Sequence, residues 1–186
     1  MQDIANGAEL SKGTLYTYFS NKPSLFYAVV IKGMKLLSDA FKSAVEKESN
    51  GLDKLRSIIQ TYYEYIQENA DYYRLNVSAR SERFTRMLES SDTNLKIDDL
   101  GKYINLTKEL LKIMIEVVTL GIKDGTIRKD LDTIKTVMFL GSAIENSVQI
   151  SSVNKMLMQM HGFTEEQYLH HSIDIILKGI AAKNHN

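Results

Sequence analysis

Apolar residues recur along most of the chain at spacings of three and four, the period of a helix with one buried face. Phe26, Val30, Met34, Leu37, Phe41 and Val45 predict a long helix over 22–48. Asn21 is placed to cap it, and Pro23 falls in its first turn, where a missing N–H does no harm. After a break at Ser49-Asn50-Gly51 the pattern resumes over 52–68 with Leu52, Leu55, Ile58 or Ile59, Tyr62, and Tyr65 or Ile66. Asn69-Ala70-Asp71 interrupts it, and a less regular helical stretch over 71–90 leads to a polar loop at Ser90–Asn94. Leu106, Leu110, Met114, Val117 or Val118 and Gly121 predict a helix over 96–123, stopped by the turn dipeptide Asp124-Gly125. Asp132 caps a helix predicted over 133–158, with Ile134, Val137, Met138, Gly141, Ile144 and Val148 on one side. Gly162 ends that segment. Thr164-Glu165-Glu166-Gln167 then has the form of a capping box for a last helix carrying Leu169, Ile173, Ile176, Leu177 and Ile180.

The first twenty residues are organised differently. A short helix over Asp3–Gly7, a turn at Ala8-Glu9-Leu10 and a second helix over Lys12–Phe19, capped by Ser11, have the arithmetic of a helix-turn-helix. On the second helix Leu15 and Phe19 face inward, and Thr14 and Thr17 share another face. Glycine at position 13 costs a helix about 1 kcal/mol against alanine. Close approach of the backbone to a bulky partner such as a phosphate strand is one reason to keep it there.

Composition narrows the class. One proline and ten glycines in 186 residues leave too few turns for a sandwich or barrel, so the fold is expected to be all-α. The absence of cysteine excludes disulfides, thiolate metal sites and a thiol nucleophile. Twenty-three Lys and Arg balance 23 Asp and Glu, so any nucleic-acid contact must come from a local patch. No apolar run approaches the ~20 residues of a membrane span, and the start has no signal-peptide pattern, so a cytoplasmic protein is expected. No Ser-His-Asp set, Gly-x-Ser-x-Gly elbow or phosphate-cradling loop is present, and neither enzymatic activity nor a cofactor is expected. His170, His171 and Asp174 form only a partial metal-ligand set on one helix, so no metal is expected either.

The string DIANGAELSKGTLYTYFSNKPSLF resembles the helix-turn-helix of the TetR family of bacterial transcriptional repressors. Ile4, Ala5, Ala8, Ser11, Lys12, Gly13, Thr14, Leu15, Tyr16, Tyr18, Phe19, Lys22 and Leu25 carry the resemblance. It covers about the first 30 residues. It implies a DNA-binding domain at 1–30 and a helical ligand-binding and dimerisation domain at 31–186, the two joined by a long helix. It also implies that Thr14 and Thr17 face base edges, that Lys12, Tyr16, Tyr18 and Lys22 hold phosphates, and that Gly13 admits the DNA backbone. Two departures stand out. The family usually has Gly-Val in the turn where this chain has Glu9-Leu10, and glutamate is less comfortable at positive φ. The family also has a helix ahead of the motif, whereas this sequence begins almost at the second helix. Ile4, Leu15 and Phe19 are therefore expected to lie uncovered, residues 1–20 to be the most mobile, and DNA affinity to be poor.

Half of the tyrosines, Tyr62, Tyr63, Tyr65, Tyr72 and Tyr73, fall within 12 residues. They suit either an adaptable ligand cavity or ordinary packing, and the resemblance favours the cavity. Candidate lining residues are Tyr62, Tyr65, Ile66, Met114, Val118 and Asn146. Arg80, Arg83 and Arg86 suit a ligand carboxylate or a solvated face. Val153, Met156, Leu157, Met158 and Met160 suit a promiscuous ligand surface or a helix end against a partner. A homodimer is expected through residues 133–182, with Ile173, Ile176, Leu177 and Ile180 as an apolar face and Gly141, Ser142 and Ala143 allowing close helix approach. The resulting function is a ligand-responsive repressor. As a dimer it would bind a palindromic operator, with recognition helices one DNA turn (~34–36 Å) apart, and a small-molecule effector would release it. The alternative is a helical ligand-binding or scaffold protein that does not bind DNA.

Overall fold

The computed structural model describes residues 1–81 and 97–182. Among these, the elements are helices: α1 (Gln2–Gly7), α2 (Lys12–Tyr18), α3 (Lys22–Glu46), α4 (Gly51–Glu68), α5 (Ala70–Ala79), α6 (Ile97–Asp124), α7 (Thr133–Val148), α8 (Ser152–His161) and α9 (Glu165–Ile180). The fold is all-α, and the extended pairing among the described residues is an isolated bridge between Ile127 and Ala181. No helix among the described residues is long and apolar enough to cross a membrane.

The caps follow side-chain chemistry legible in the sequence. Ser11 Oγ accepts the Thr14 N–H at 3.0 Å and starts α2. Asn21 Oδ1 accepts the Ser24 N–H at 2.8 Å and starts α3. Asp132 accepts the Lys135 N–H at 2.9 Å. Thr164 and Gln167 form both halves of the capping box that opens α9. Gly162 closes α8 in the left-handed conformation, with φ of 72°.

The predicted 133–158 helix is two helices. The chain leaves the helical path at Gln149, and Ser151 starts α8 by accepting the Asn154 N–H at 3.2 Å. Apolar spacing continues through this break, so periodicity could not see it. The stretch predicted over 71–90 ends as a described helix at Ala79, with Arg80 as its C-cap. Glu82, Arg83, Arg86, the Ser90–Asn94 loop and the tail from Lys183 lie outside the described residues.

The chain divides into two compact units, residues 1–38 with 66–109 and residues 39–65 with 110–186. In the first, α1 packs on α2, and Ala5, Leu15, Tyr27, Val30, Ile31 and Met34 are buried. Polar bonds tie α3 to α6 there: Ser24 Oγ donates to Asp99 Oδ2 at 2.7 Å, and Ser38 Oγ to Glu109 Oε1 at 2.9 Å. Tyr27 and Tyr103 meet edge-on, with ring centroids 5.6 Å apart. Burial first, and then the neighbouring Tyr103, push the Tyr27 hydroxyl up to about 12.

The second unit buries Leu55, Ile58, Ile59, Val117, Val118, Ile127, Leu140 and Leu177. Gly51 does not merely end the preceding helix; it is the first residue of α4 and lies against the backbone of α6. A Cβ built on Gly51 would stand 2.2 Å from Gly121 Cα. The segment after α6 holds this crossing together. Asp124 Oδ2 accepts the Gly51 N–H at 2.7 Å, and Thr126 Oγ1 accepts the Leu52 N–H at 3.1 Å. The helix end of α6 thus caps the start of α4, and the orphan N–H groups of α4 are satisfied from another element. Arg128 N donates to Ile180 O and Ala182 N to Thr126 O, both at 3.0 Å, so the same segment fastens the end of α9.

Candidate functional site

The two helices of the N-terminal motif are joined by a turn in which Glu9 adopts φ of 56°. The reading of the turn from the sequence anticipated this constraint. Leu10 N donates back to Ala5 O at 2.9 Å and closes the turn. Ala5 and Leu15 are buried where α1 and α2 meet, so Leu15, at 5% exposure, is covered rather than open as expected. Phe19 is half-buried, and Ile4 and Leu10 are exposed.

The other side of α2 faces solvent. Lys12, Gly13, Thr14, Tyr16, Thr17 and Tyr18 are all exposed, as is Lys22 at the start of α3. Tyr18 is 75% exposed. A methyl on Gly13 would meet only Ser11 Oγ, at 3.6 Å, an ordinary contact. No packing within the protein therefore requires glycine there. Lys12 Nζ stands 5.9 Å from the centre of the Tyr16 ring, within cation–π range. Ser11 Oγ and Thr14 Oγ1 are 2.8 Å apart, and Thr17 Oγ1 donates to Gly13 O at 3.1 Å. The sequence-predicted DNA-facing residues are thus brought to one short exposed surface.

The candidate effector residues divide. Tyr62, Tyr65, Met114, Val118 and Asn146 belong to the second unit, and Ile66 to the first. Tyr65, Ile66, Met114 and Val118 are buried and Tyr62 is half-buried. The Tyr62 hydroxyl donates to Glu145 Oε2 at 2.7 Å, and its ring meets Phe41 edge-on at 6.3 Å. Asn146 is corrected: it is exposed and its amide donates to Ser142 O at 2.9 Å on its own helix. Its neighbour Glu145 is a polar group brought to Tyr62. Buried Thr136, Val137, Leu140 and Ile144 fix the inner face of α7. Asn146, two residues past Ile144, is turned about 200° around α7 from Ile144. Glu145 is the one acidic residue in α7, a signal that could have singled it out.

The other candidates are placed as follows. Met158 is buried, while Val153, Met156, Leu157 and Met160 are exposed. Ile173, Leu177 and Ile180 are buried within the chain itself, so they are not a free face; on α9 the exposed large apolar residue is Ile175. His170 lies 3.8 Å from Glu166, and Asp174 is held by Arg56 at 3.1 Å. The Arg56 hydrogen bond, against a smaller effect of burial, keeps the Asp174 carboxyl below its ordinary range. Among the described residues no three such groups converge as a metal set.

Comparison with known proteins agrees with this arrangement. The sequence pattern described as "Bacterial regulatory proteins, tetR family" matches residues 1–29. The transcriptional activator FasR of Mycolicibacterium smegmatis is 29% identical over 75 residues, 40% of this chain and 34% of FasR. The transcriptional repressor KstR2 of Rhodococcus jostii is 28% identical over 148 residues, 75% of this chain and 63% of KstR2. The chain thus spans less than two thirds of the length of either relative. The crystal structure of FadR from Bacillus subtilis in complex with stearoyl-CoA superposes with a TM-score of 0.65 at 20% identity, covering 95% of this chain and 86% of FadR. Residues 1–29 thus match the pattern of the tetR family of bacterial regulatory proteins, and beyond them the chain is similar to transcriptional regulators such as KstR2.

Proposed function

We propose that the protein is a one-component transcriptional repressor that binds a palindromic DNA operator as a dimer and is released by a small-molecule effector. The observation that carries the reading is the exposed face of α2, where Lys12, Gly13, Thr14, Tyr16, Thr17 and Tyr18 stand together next to Lys22. Lys12, Lys22 and the two tyrosine hydroxyls supply phosphate contacts, which position the helix, and the threonines meet base edges. Gly13 lets the backbone approach, which accounts for a glycine that internal packing does not need.

The effector binds in the second unit beside Tyr62, Tyr65, Met114 and Val118, with Glu145 as the polar anchor through Tyr62. FadR, a similar fold, is bound to stearoyl-CoA, and a long-chain acyl-CoA is the effector class we assign here. An effector lowers operator affinity only by the difference in its affinity for the two states of the dimer. The dimer forms through residues 133–182.

Fluorescence anisotropy with labelled intergenic DNA from beside the gene tests the reading. Binding that saturates with two chains per duplex and falls on adding stearoyl-CoA is expected. Lys22→Ala weakens all sequences alike and flattens the salt slope by about one unit. Equal binding to every sequence, or none, overturns the assignment.

A further inference from the structure

We infer that Thr17 reads thymine through its methyl group, an inference that rests on the DNA-binding reading above. Thr17 Oγ1 donates to Gly13 O at 3.1 Å. That bond uses the hydroxyl's only proton and holds the oxygen against the preceding turn of the helix. Of the two groups on Cβ, the Cγ2 methyl is then the one left facing outward. Thr14 differs, because its hydroxyl pairs with another hydroxyl and either can donate. Its Oγ1 lies 2.8 Å from Ser11 Oγ, which also accepts the Thr14 N–H at 3.0 Å.

The two threonines are three residues apart and both exposed, so their methyls share one face of α2. Gly13 adds no side chain to that face, and Lys12 is drawn toward the Tyr16 ring. The middle of the surface therefore offers methyl groups and, from Thr17, no free proton. Guanine and adenine present N7, and guanine O6, as acceptors in the major groove, and Thr17 has no donor to give them. Thymine presents its C5 methyl, the one apolar group on the groove edge of a base pair. Methyl against methyl is the contact this geometry supports.

The test uses the full chain and duplexes that it enriches from a random DNA pool. In each enriched duplex the thymines are replaced one at a time by deoxyuridine, which removes the C5 methyl and leaves base pairing intact. One position per half-site is expected to lose about fourfold in affinity, the value of one methyl withdrawn from water. Thr17→Val keeps the methyl and is expected to keep that discrimination. Thr17→Ser keeps the hydroxyl and is expected to bind the thymine and deoxyuridine duplexes equally. If no deoxyuridine weakens wild-type binding, or if Thr17→Val abolishes the discrimination, the inference is overturned while DNA binding stands. If the pool yields no enriched duplex, the DNA-binding reading fails and this inference fails with it.

Discussion

At the scale of single residues, two positions in the N-terminal motif carry residues that their local backbone disfavours. Glu9 holds φ of 56°, in the left-handed region that costs a side-chain-bearing residue about 1–2 kcal/mol. Part of that is returned when glycine replaces it, because glycine loses more freedom on folding. Glu9→Gly is expected to stabilise the protein by about 0.5–1 kcal/mol in chemical denaturation. Gly13 is the converse case. Its surroundings are open, so Gly13→Ala is expected to raise stability by up to about 1 kcal/mol while weakening DNA binding. A variant that gained stability and kept its affinity would remove the reason given for the glycine. Both positions were legible in the sequence, because glycine inside a helix and glutamate in a tight turn each violate a local rule. Asn146 was not, because apolar spacing left α7 with two adjacent polar residues, and only the observed bond from Tyr62 to Glu145 separates them.

At the scale of elements, the helix starts at Ser11, Asn21, Asp132 and Thr164 were readable from their capping side chains, whereas the Ser151 cap was hidden because apolar spacing runs through it. The start of α4 shows the limit of that reading. Asn50 accepts the Asp53 N–H at 2.9 Å, but the Gly51 and Leu52 N–H groups are taken by Asp124 and Thr126, more than 70 residues on. No local pattern can announce such a cap. Burial alone pushes the Asp124 carboxyl up, but bonds from the Thr126 hydroxyl and the Gly51 and Thr126 N–H groups outweigh it and hold the carboxyl below its ordinary range. A folded-state pKa below the unfolded value means stability that is present above about pH 4 and is lost as the pH falls through the folded value. Asp124→Asn, which keeps an acceptor but not the charge, is expected to flatten this acid limb in denaturation curves taken between pH 5 and 2. Gly51→Ala strikes the same junction sterically. Its Cβ meets α6 backbone, which cannot rotate away, so a loss of about 3 kcal/mol or more is expected from thermal unfolding.

At the scale of the whole molecule, the sequence leads to the expectation of a surface for a second copy within residues 133–182, but Ile173, Leu177 and Ile180, expected to form it on the last helix, are buried within the chain. Ile173, Leu177 and Ile180 share a helical spacing because they pack inward, and spacing does not distinguish a core face from a partner face. On α7 and α9 the large apolar groups left outside are Ile134, Met138, Phe139 and Ile175, with Met138 66% and Phe139 62% exposed. Ile134, Met138 and Gly141 follow the same outer side of α7 at spacings of four and three. Nothing lies within 4 Å of a Cβ built on Gly141, so a side chain there disturbs nothing within the protomer. In a two-fold dimer each copy of α7 faces its own equivalent, and one substitution then acts twice. Gly141→Leu is therefore expected to leave helicity unchanged and to improve the helix propensity of α7 by up to about 1 kcal/mol. It would nevertheless bar the close approach of two such helices and shift the protein from dimer to monomer in light scattering at micromolar concentration. Loss of palindrome binding should accompany that shift, because half-site contacts from one protomer no longer reinforce those of the other. A Gly141→Leu protein that remains dimeric would move the interface off this face of α7.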